Sequence, residues 1–504
     1  MSDAFTVYNP RGSLWHRWDL HIHTPSSFDY QDKSITDQQI VDCLVQAGLR
    51  AVAITDHHTI DVQRITNLQK LGANKLTVFP GIELRDDHGG EPIHYICIFP
   101  ETCNLNDVWT TLQGKLDLTA TAIAHKGGDD RVYVPIERGA KEAHALGGVV
   151  SIHAGAKSNS IEGIRNKEQF QQRIKFDITN GCVDMMEIGQ LKDIDRHYNT
   201  IFPVTGLEKP LVLCSDNHKV IEYSTKAPLW FRADPTFRGL LMVLREPRER
   251  VFIGDRPPDL IRVEQNRTKY IKAVSFTRRD TAPLSEQWFS GKVELNPGLV
   301  AIVGNKGSGK SALSDIIGLL GATKNADAFS FLSKNRFRHQ SNNLASHFEA
   351  TIEWEAGDTA TKCLADAINA EEVERIKYLP QDHVETVCNE LASLGEEGFE
   401  QELKTVIFSH VPEADRLGHS TLDDLVRFQT DEKQKRIDSL IKQLRDLSRT
   451  RALLEAQADP LMRKELTEKM SRRKLDLDAH DKAMPEAVAN PAVDGTAPAP
   501  NTTL

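Results

Sequence analysis

The sequence predicts an α/β protein in which a seven-stranded (β/α) barrel precedes a P-loop lobe and a short coiled-coil segment. Three observations predict it. Between Trp18 and Ser215, seven short apolar runs alternate with stretches of helical spacing. Near-continuous apolar strands separated by helices mark a parallel sheet covered on both faces, and seven of them favour a closed barrel over an open sheet. Near Gly291 a new apolar run leads into a glycine-rich loop and then a helical pattern. From about Asp431 the chain turns to charged residues and Gln, with Leu and Ile at the alternating spacing of a coiled-coil seam.

In chain order, the runs are 18–23, 51–56, 76–83, 93–99, 147–153, 184–189 and 210–216. A connector, 234–260, closes this first domain (13–260) and carries the pair Pro257-Pro258. Residues 261–290 read as a linker. The P-loop lobe spans 291–428, with a buried strand expected at 299–303, a helix after Ser311 and a strand-like run, 374–382, containing Gln381. A coiled-coil stub follows at 429–483. Ile437, Leu440, Leu444, Leu447 and Leu454 form its seam, interrupted by Arg451, and Pro460 breaks the helix. The tail, 484–504, is rich in Ala and Pro and is expected to be disordered.

The bulk properties bound the class. A chain of 504 residues has room for two or three domains. With 39% hydrophobic and 27% charged residues it reads as a soluble globular protein. A formal charge of -10 argues against a basic nucleic-acid coat while leaving local patches open. The seven cysteines include no C-x-x-C pair, which suits reduced thiols. The N-terminus lacks a basic stretch followed by an apolar core, and no apolar run reaches the ~20 residues that span a bilayer. A cytoplasmic protein with no membrane partner is expected.

Chemistry-bearing residues gather at the ends of the expected strands. His21 and His23 end the first, Asp56 and His57 the second, Glu83 the third and His153 the fifth, while Asp216 and His218 follow the seventh. Barrel enzymes collect catalytic side chains at that end. Side chains alternate along an extended segment, so His21 and His23 face one way and can share an ion, and Asp216/His218 repeats the pattern. Imidazole with carboxylate suits zinc, manganese or iron(II). Two ions about 4 Å apart can activate water and hold a phosphate. One His at a strand end is commonly a packed or surface residue, but recurrence after successive strands points to a metal site.

The motifs DLHIHT (19–24), AITDH (53–57), GIEL (81–84), SIHAG (151–155) and CSDNH (214–218) closely resemble, in order, those of the PHP (polymerase and histidinol phosphatase) family. The resemblance covers about residues 13–260. It implies a distorted seven-stranded barrel with two or three divalent metals and phosphoesterase activity. By position, His21, His23, Glu83 and Asp216 would hold the first metal. Glu83 would bridge to a second, completed by His94 and His153, and Asp29, His57 and His218 would hold the third. Of these, His21, His23, Glu83, His153, Asp216 and His218 form the implied catalytic set. Asp29 stands where many members place a His. His94 opens its run, so its match requires the chain to turn back through Gly89-Gly90. Asp19 and Asp56 are expected to orient imidazoles, and His58 to face solvent. Lys157 reads equally as a phosphate contact or a solvated lysine. Glu187 reads equally as a partner of a ligand or a bystander.

Gly304-Asn305-Lys306-Gly307-Ser308-Gly309-Lys310-Ser311 fits the phosphate-loop pattern, whose amides wrap phosphates while the Lys reaches the terminal ones and the Ser binds magnesium. The stretch 296–313 resembles the ATP-binding start of SMC- and RecF-like ABC-class ATPases, and Gln381 resembles their magnesium-contacting Gln. An LSGG-like signature and an apolar run ending in Asp-Glu are missing downstream. Three explanations stand: a truncated form, a partner or second copy supplying the rest, or nucleotide binding without hydrolysis. Truncation is preferred. The fusion resembles TrlF-like PHP–ATPase proteins, some of which act in antiphage defence. The expected function is a metal-dependent phosphoesterase, a nuclease or nucleotide phosphatase, coupled to ATP binding. A nucleotide-gated scaffold with a residual centre and a metabolic small-molecule phosphatase are the alternatives.

Overall fold

The computed structural model of the chain describes residues 11–89, 91–164, 169–279, 290–339, 344–369, 371–379, 403–404, 407–408 and 411–485. Two compact units divide the chain, Met1–Asp382 and His383–Leu504. Gln381, most of the tail and the turn residue Gly90 lie outside the described residues.

The first unit opens with β1 (Trp15–Ile22), β2 (Leu49–Ile54), β3 (Thr77–Asp86), β4 (Ile93–Ile98), β5 (Val149–Ala154), β6 (Met185–Ile188), β7 (Leu211–Val212), β8 (Leu229–Arg232) and β9 (Val251–Ile253). They form one nine-stranded sheet in the order β7-β6-β5-β4-β3-β2-β1-β8-β9. Beyond β7 the chain returns to the end of β1. The Asp216 N–H donates to the His21 carbonyl and the His23 N–H to the Asn217 carbonyl, both at 3.0 Å, so the sheet is a nearly closed barrel.

Two expectations are corrected. The sheet has two more strands than the seven runs: β8, antiparallel to β1, and β9, antiparallel to β8. Their runs are short and contain or border arginines, which masked them. Nor is the sheet wholly parallel: β4 runs antiparallel to both β3 and β5. The turn after Asp86 is a hairpin connection, and it sets Arg85 opposite His94.

Side-chain parity explains how the barrel carries its site. Phe79, Ile96, Ile98, Val149, Met185 and Val212 belong to one buried core with Trp18 and Leu20. Continuing each strand in steps of two leads from that core to Glu83, His94, His153, Glu187 and Asp216, because a strand repeats every second residue. β1 breaks the rule. Its register against β2 shifts between Asp19 and Ile22. Such a bulge re-aims the following side chains, so that His21 and His23, of opposite parity to Leu20, also turn inward. A second core packs the sheet against the helices and includes Ile40, Leu44, Leu68 and Leu112.

Gly81, on the inward parity of β3, has no room for a side chain. A Cβ there would stand 2.9 Å from the Ile54 carbonyl oxygen and 3.1 Å from that of Cys97, both rigid strand backbone. Gly81→Ala is expected to destabilise the barrel by about 1–3 kcal/mol, read as a lower urea midpoint.

The same unit carries a second sheet, β10 (Ile271–Arg278), β11 (Gly291–Glu294), β12 (Phe348–Trp354) and β13 (Thr359–Cys363), antiparallel in the order β11-β10-β12-β13. The helix Lys310–Leu320 buries Ile316 and Leu319 in a core with Val274, Phe348, Ile352 and Trp354. β10 corrects the linker assignment: seven of its residues, Ile271 and Ala273–Arg278, pair with β12, so the stretch Ile271–Arg278 within 261–290 belongs to this sheet. The expected strand 299–303 is also corrected. Those residues form no strand, and Leu299 and Val303 are 98% and 86% exposed. A strand holds only when neighbours take up its backbone groups, and among the described residues none pairs with this segment. Likewise 374–379 is not extended into a strand.

The second unit contains the helices Leu422–Ala458 and Pro460–Ala483. Thr421 caps the first by accepting from the Asp424 N–H, and Asp459 caps the second by accepting from the Leu461 N–H. Pro460 therefore ends one helix and occupies the first turn of the next, where a missing N–H costs nothing. Ile437, Leu440, Leu444, Leu447 and Leu454 are exposed along the first helix. No described helix is long and apolar enough to cross a membrane.

Candidate metal centre

At the mouth of the barrel the inward-facing residues converge into overlapping groups of donors, three of them made wholly of the expected ligands. His21, His23, Glu83 and Asp216 form one; Glu83, His94 and His153 a second; His23, Asp29, His57 and His218 a third. Within each, one donor atom per residue lies within 4.8 Å of every other. The structure thus brings together all nine residues singled out in the sequence. Glu83 is the hub: its Oε2 lies 3.0 Å from His21 Nε2, 3.2 Å from His23 Nε2 and 3.4 Å from His57 Nδ1. Its Oε1 lies 2.5 Å from His94 Nδ1. Asp29 Oδ2 stands between His57 Nε2 at 3.2 Å and His218 Nε2 at 3.1 Å.

The residue types fit divalent cations. Glu83 and His153 are 1% exposed and His21 and His23 fully buried. His153 Nε2 and His57 Nδ1 are buried without a hydrogen-bond partner. A buried lone pair left unused is costly, and a metal would take it up. Imidazoles clustered with carboxylates of this number supply both the donors and the balancing charge.

Electrostatics divide the imidazoles. Burial alone would lower His21, but Asp216, Glu187 and Glu83 outweigh it and hold the ring well above its ordinary value. Burial also opposes the charge on His23, yet bonds to Asp216 and Glu83 lift it to about 9. His153 goes the other way, down to about 4 by burial, because its Nε2 comes only to 3.6 Å from Glu187. Glu83 resists burial through His21 and His57 and sits well below the usual carboxylate range.

Glu187 and Lys157 both belong to the centre. Glu187 Oε2 lies 2.8 Å from His21 Nδ1, and accepting that N–H leaves Nε2 to face the cluster. The Lys157 ammonium bridges Glu187 Oε1 at 2.6 Å and Asp216 Oδ2 at 3.0 Å. Burial opposes its charge, but these two carboxylates more than offset that and hold it protonated. Asp193 supports the loop that carries Lys157 by accepting from the Ala156 N–H at 2.9 Å.

Three expectations are corrected. Asp19 and Asp56 hold backbone and hydroxyls rather than imidazoles. Asp19 accepts from the His21 and Ser215 amides and the Tyr223 hydroxyl, and Asp56 from Thr24 N–H and Oγ1–H, each at 2.6 Å. Burial raises both, Asp56 to about 6. His58 is buried, not solvent-facing, with a φ of 57° that lets its N–H reach the Glu83 carbonyl. Asp216 is not extended: a φ of 53° turns the chain there, so Asp216 and His218 serve different donor groups. Asp adopts this left-handed conformation more readily than most residues.

Asn159 and Tyr223 were missed by sequence reasoning. Asn159, with φ 54°, bonds His94 twice, through its carbonyl to the His94 N–H and through Nδ2 to Nε2. A Ser-Asn-Ser loop after a ligand was the available signal, since Asn tolerates that backbone. Of two further groupings, His21, His153 and Glu187 lies in the same mouth, while Asp86, His88 and Glu137 lies elsewhere, and Asp86 there already accepts from the Ile136 N–H at 2.7 Å and from His88.

The glycine-rich loop precedes the Lys310–Leu320 helix. Gly307 and Gly309 have φ of 86° and 89°, and Lys310 Nζ donates to the Gly304 and Asn305 carbonyls at 2.8 and 2.9 Å. In the basic segment 334–339, Arg338 is half-buried and holds the Leu364 and Asp366 carbonyls.

No family model matches the chain, and no curated protein matches it. Among solved structures, a metal-dependent phosphoesterase from Bifidobacterium adolescentis shares 16% identity, covering 45% of this chain and 96% of its own, with a TM-score of 0.31. An amidohydrolase from Chromobacterium violaceum, with sulfate bound and no metal, shares 14% identity, covering 47% and 98%, with a TM-score of 0.28. Neither likeness bears on the chemistry, which stands on the geometry of the barrel mouth.

Proposed function

We propose that the barrel is a metal-dependent phosphoesterase acting on nucleotides or nucleic acid. One observation carries the reading: three donor groups are linked in one mouth, the first joined to the third through His23 and to the second through Glu83. His21, His23, Glu83 and Asp216 would hold one divalent cation, Glu83, His94 and His153 a second, and Asp29, His57 and His218 a third. Cations so held supply activation of water and polarisation of a phosphoryl oxygen.

The chain's own residues do the rest. Glu187 fixes the His21 tautomer, and the Asp19 and Asp56 carboxylates pin the segments on which His21, Thr24 and Ser215 sit. Lys157 places a permanent positive charge at the edge of the cluster, and the donor it has left over is available to a phosphate oxygen. The Gly304–Ser311 loop is proposed to bind ATP with magnesium through its amides, Lys310 and Ser311, and so to control the barrel. A second copy or a partner chain is proposed to complete that lobe.

The test is hydrolysis of nucleotides, single- and double-stranded DNA and RNA by manganese-loaded protein, with metal content measured alongside. Wild type is expected to be active, and His21→Ala and Asp216→Ala to lose at least about 10³-fold in kcat/KM, roughly 4 kcal/mol. Equal activity in all three proteins on every substrate would exclude the reading.

A further inference from the structure

Two cavities open beside the donor cluster. One, of about 460 Å³, is lined by Lys157, Ser158, Thr225 and Lys226 among others. The other, of about 490 Å³, is lined by Asp29, Gln31, Asn217, His218 and Lys219 among others. Both also include Ser215, Asp216 and Ser224, so these three residues form the wall common to the two. Asp216 is itself a member of the donor cluster. A phosphorus atom held by that cluster therefore has space on two sides.

This geometry separates two substrate classes. A phosphomonoester carries one organic group and needs one chamber. A phosphodiester carries two, and each cavity lies in the size range of small-molecule sites. The chambers also differ in charge. The first holds Lys226 beside Lys157, which is already paired to Glu187 and Asp216, whereas the second adds Asp29 and Glu222 to Asp216, with Lys219 paired to Glu222. Lys226 Nζ spends one donor on the Gly189 carbonyl at 2.7 Å, and an ammonium has three. Ser158, Ser224 and Thr225 line the same chamber.

We propose that the site takes phosphodiesters in preference to phosphomonoesters, with one ester group in the lysine chamber and the other in the Asp29–His218 chamber. The proposal rests on the phosphoesterase reading and names its substrate class. In the reaction a bond forms between water oxygen and phosphorus and one P–O ester bond breaks. One water proton ends on the departing oxygen, so the products are a phosphomonoester and an alcohol. Lys226 is a specificity residue: it meets a part of the substrate that does not react.

The experiment uses the full chain loaded with manganese. The kcat/KM for bis(p-nitrophenyl) phosphate is expected to exceed that for p-nitrophenyl phosphate by about tenfold or more. Lys226→Ala is expected to raise KM for thymidine 5′-(p-nitrophenyl phosphate) about tenfold with little change in kcat, as loss of uniform binding does. Equilibrium binding of a phosphorothioate-linked thymidine dinucleotide, read by calorimetry, is expected to weaken by a similar factor. A monoester cleaved as well as the diester, or unchanged KM and binding in Lys226→Ala, overturns the diester assignment and leaves the phosphoesterase standing. Cleavage of neither compound by fully metallated protein removes both.

Discussion

Glu83→Gln protein is expected to lose at least about 10³-fold in kcat/KM and most of its bound metal, while keeping its fold. The side chain changes by one atom type and fits the same space. What it loses is the negative charge facing His21, His23, His57 and His94, with Oε2 at 3.0 Å and 3.2 Å from the first two. An amide offers one acceptor oxygen where the carboxylate offers two, so a bridge between two donor groups becomes contact with one. Metal content by mass spectrometry and the far-ultraviolet circular dichroism spectrum check this together. Full metal occupancy with full activity would show that Glu83 is not the hub its position suggests.

Lys157→Met is expected to destabilise the metal-free protein by about 3–5 kcal/mol and the metal-loaded protein far less. The Lys157 side chain is 10% exposed and its partners Glu187 and Asp216 are 1% and 29% exposed. Removing the ammonium leaves two carboxylates facing each other across a largely dry site. Cations bound to Asp216 would offset that charge, so the loss shrinks on loading. Urea midpoints with and without manganese read the difference. An equal loss in both states would mean that Lys157 acts through the packing of its methylene chain alone.

Much of the barrel was legible because its strands are apolar runs of ordinary length ending in His, Asp or Glu. Seven of the nine donor positions, His21, His23, His57, Glu83, His153, Asp216 and His218, were legible at or just after the expected strand ends, whereas Asp29 and His94 came only from the family resemblance. What sequence reading missed is long-range or local in backbone geometry. The bulge in β1 changes which side of the strand His21 faces, and nothing in Leu20-His21-Ile22 announces it. Glu187 and Lys157 stayed ambiguous because their meaning lies in each other, thirty positions apart along the chain. The left-handed backbone at His58 and Asp216 depends on contacts with Glu83 and His21 that no local pattern encodes. In the second sheet the error ran the other way. The apolar run 299–303 has strand composition, but composition cannot provide a neighbouring strand.

The seam of the barrel has a kinetic consequence. Its last hydrogen bonds join the two ends of the domain, and the Ser215 N–H reaches the Asp19 carboxylate across 196 positions of chain. Contacts of such sequence separation are slow to form, because a long loop must be closed first. Asp216, which belongs to the donor cluster, lies in that same seam, so a cation arriving there clamps the residues that complete the ring. Loading would then act as a latch on that seam: it would slow reopening and make the holoprotein's lifetime depend on how quickly metal escapes.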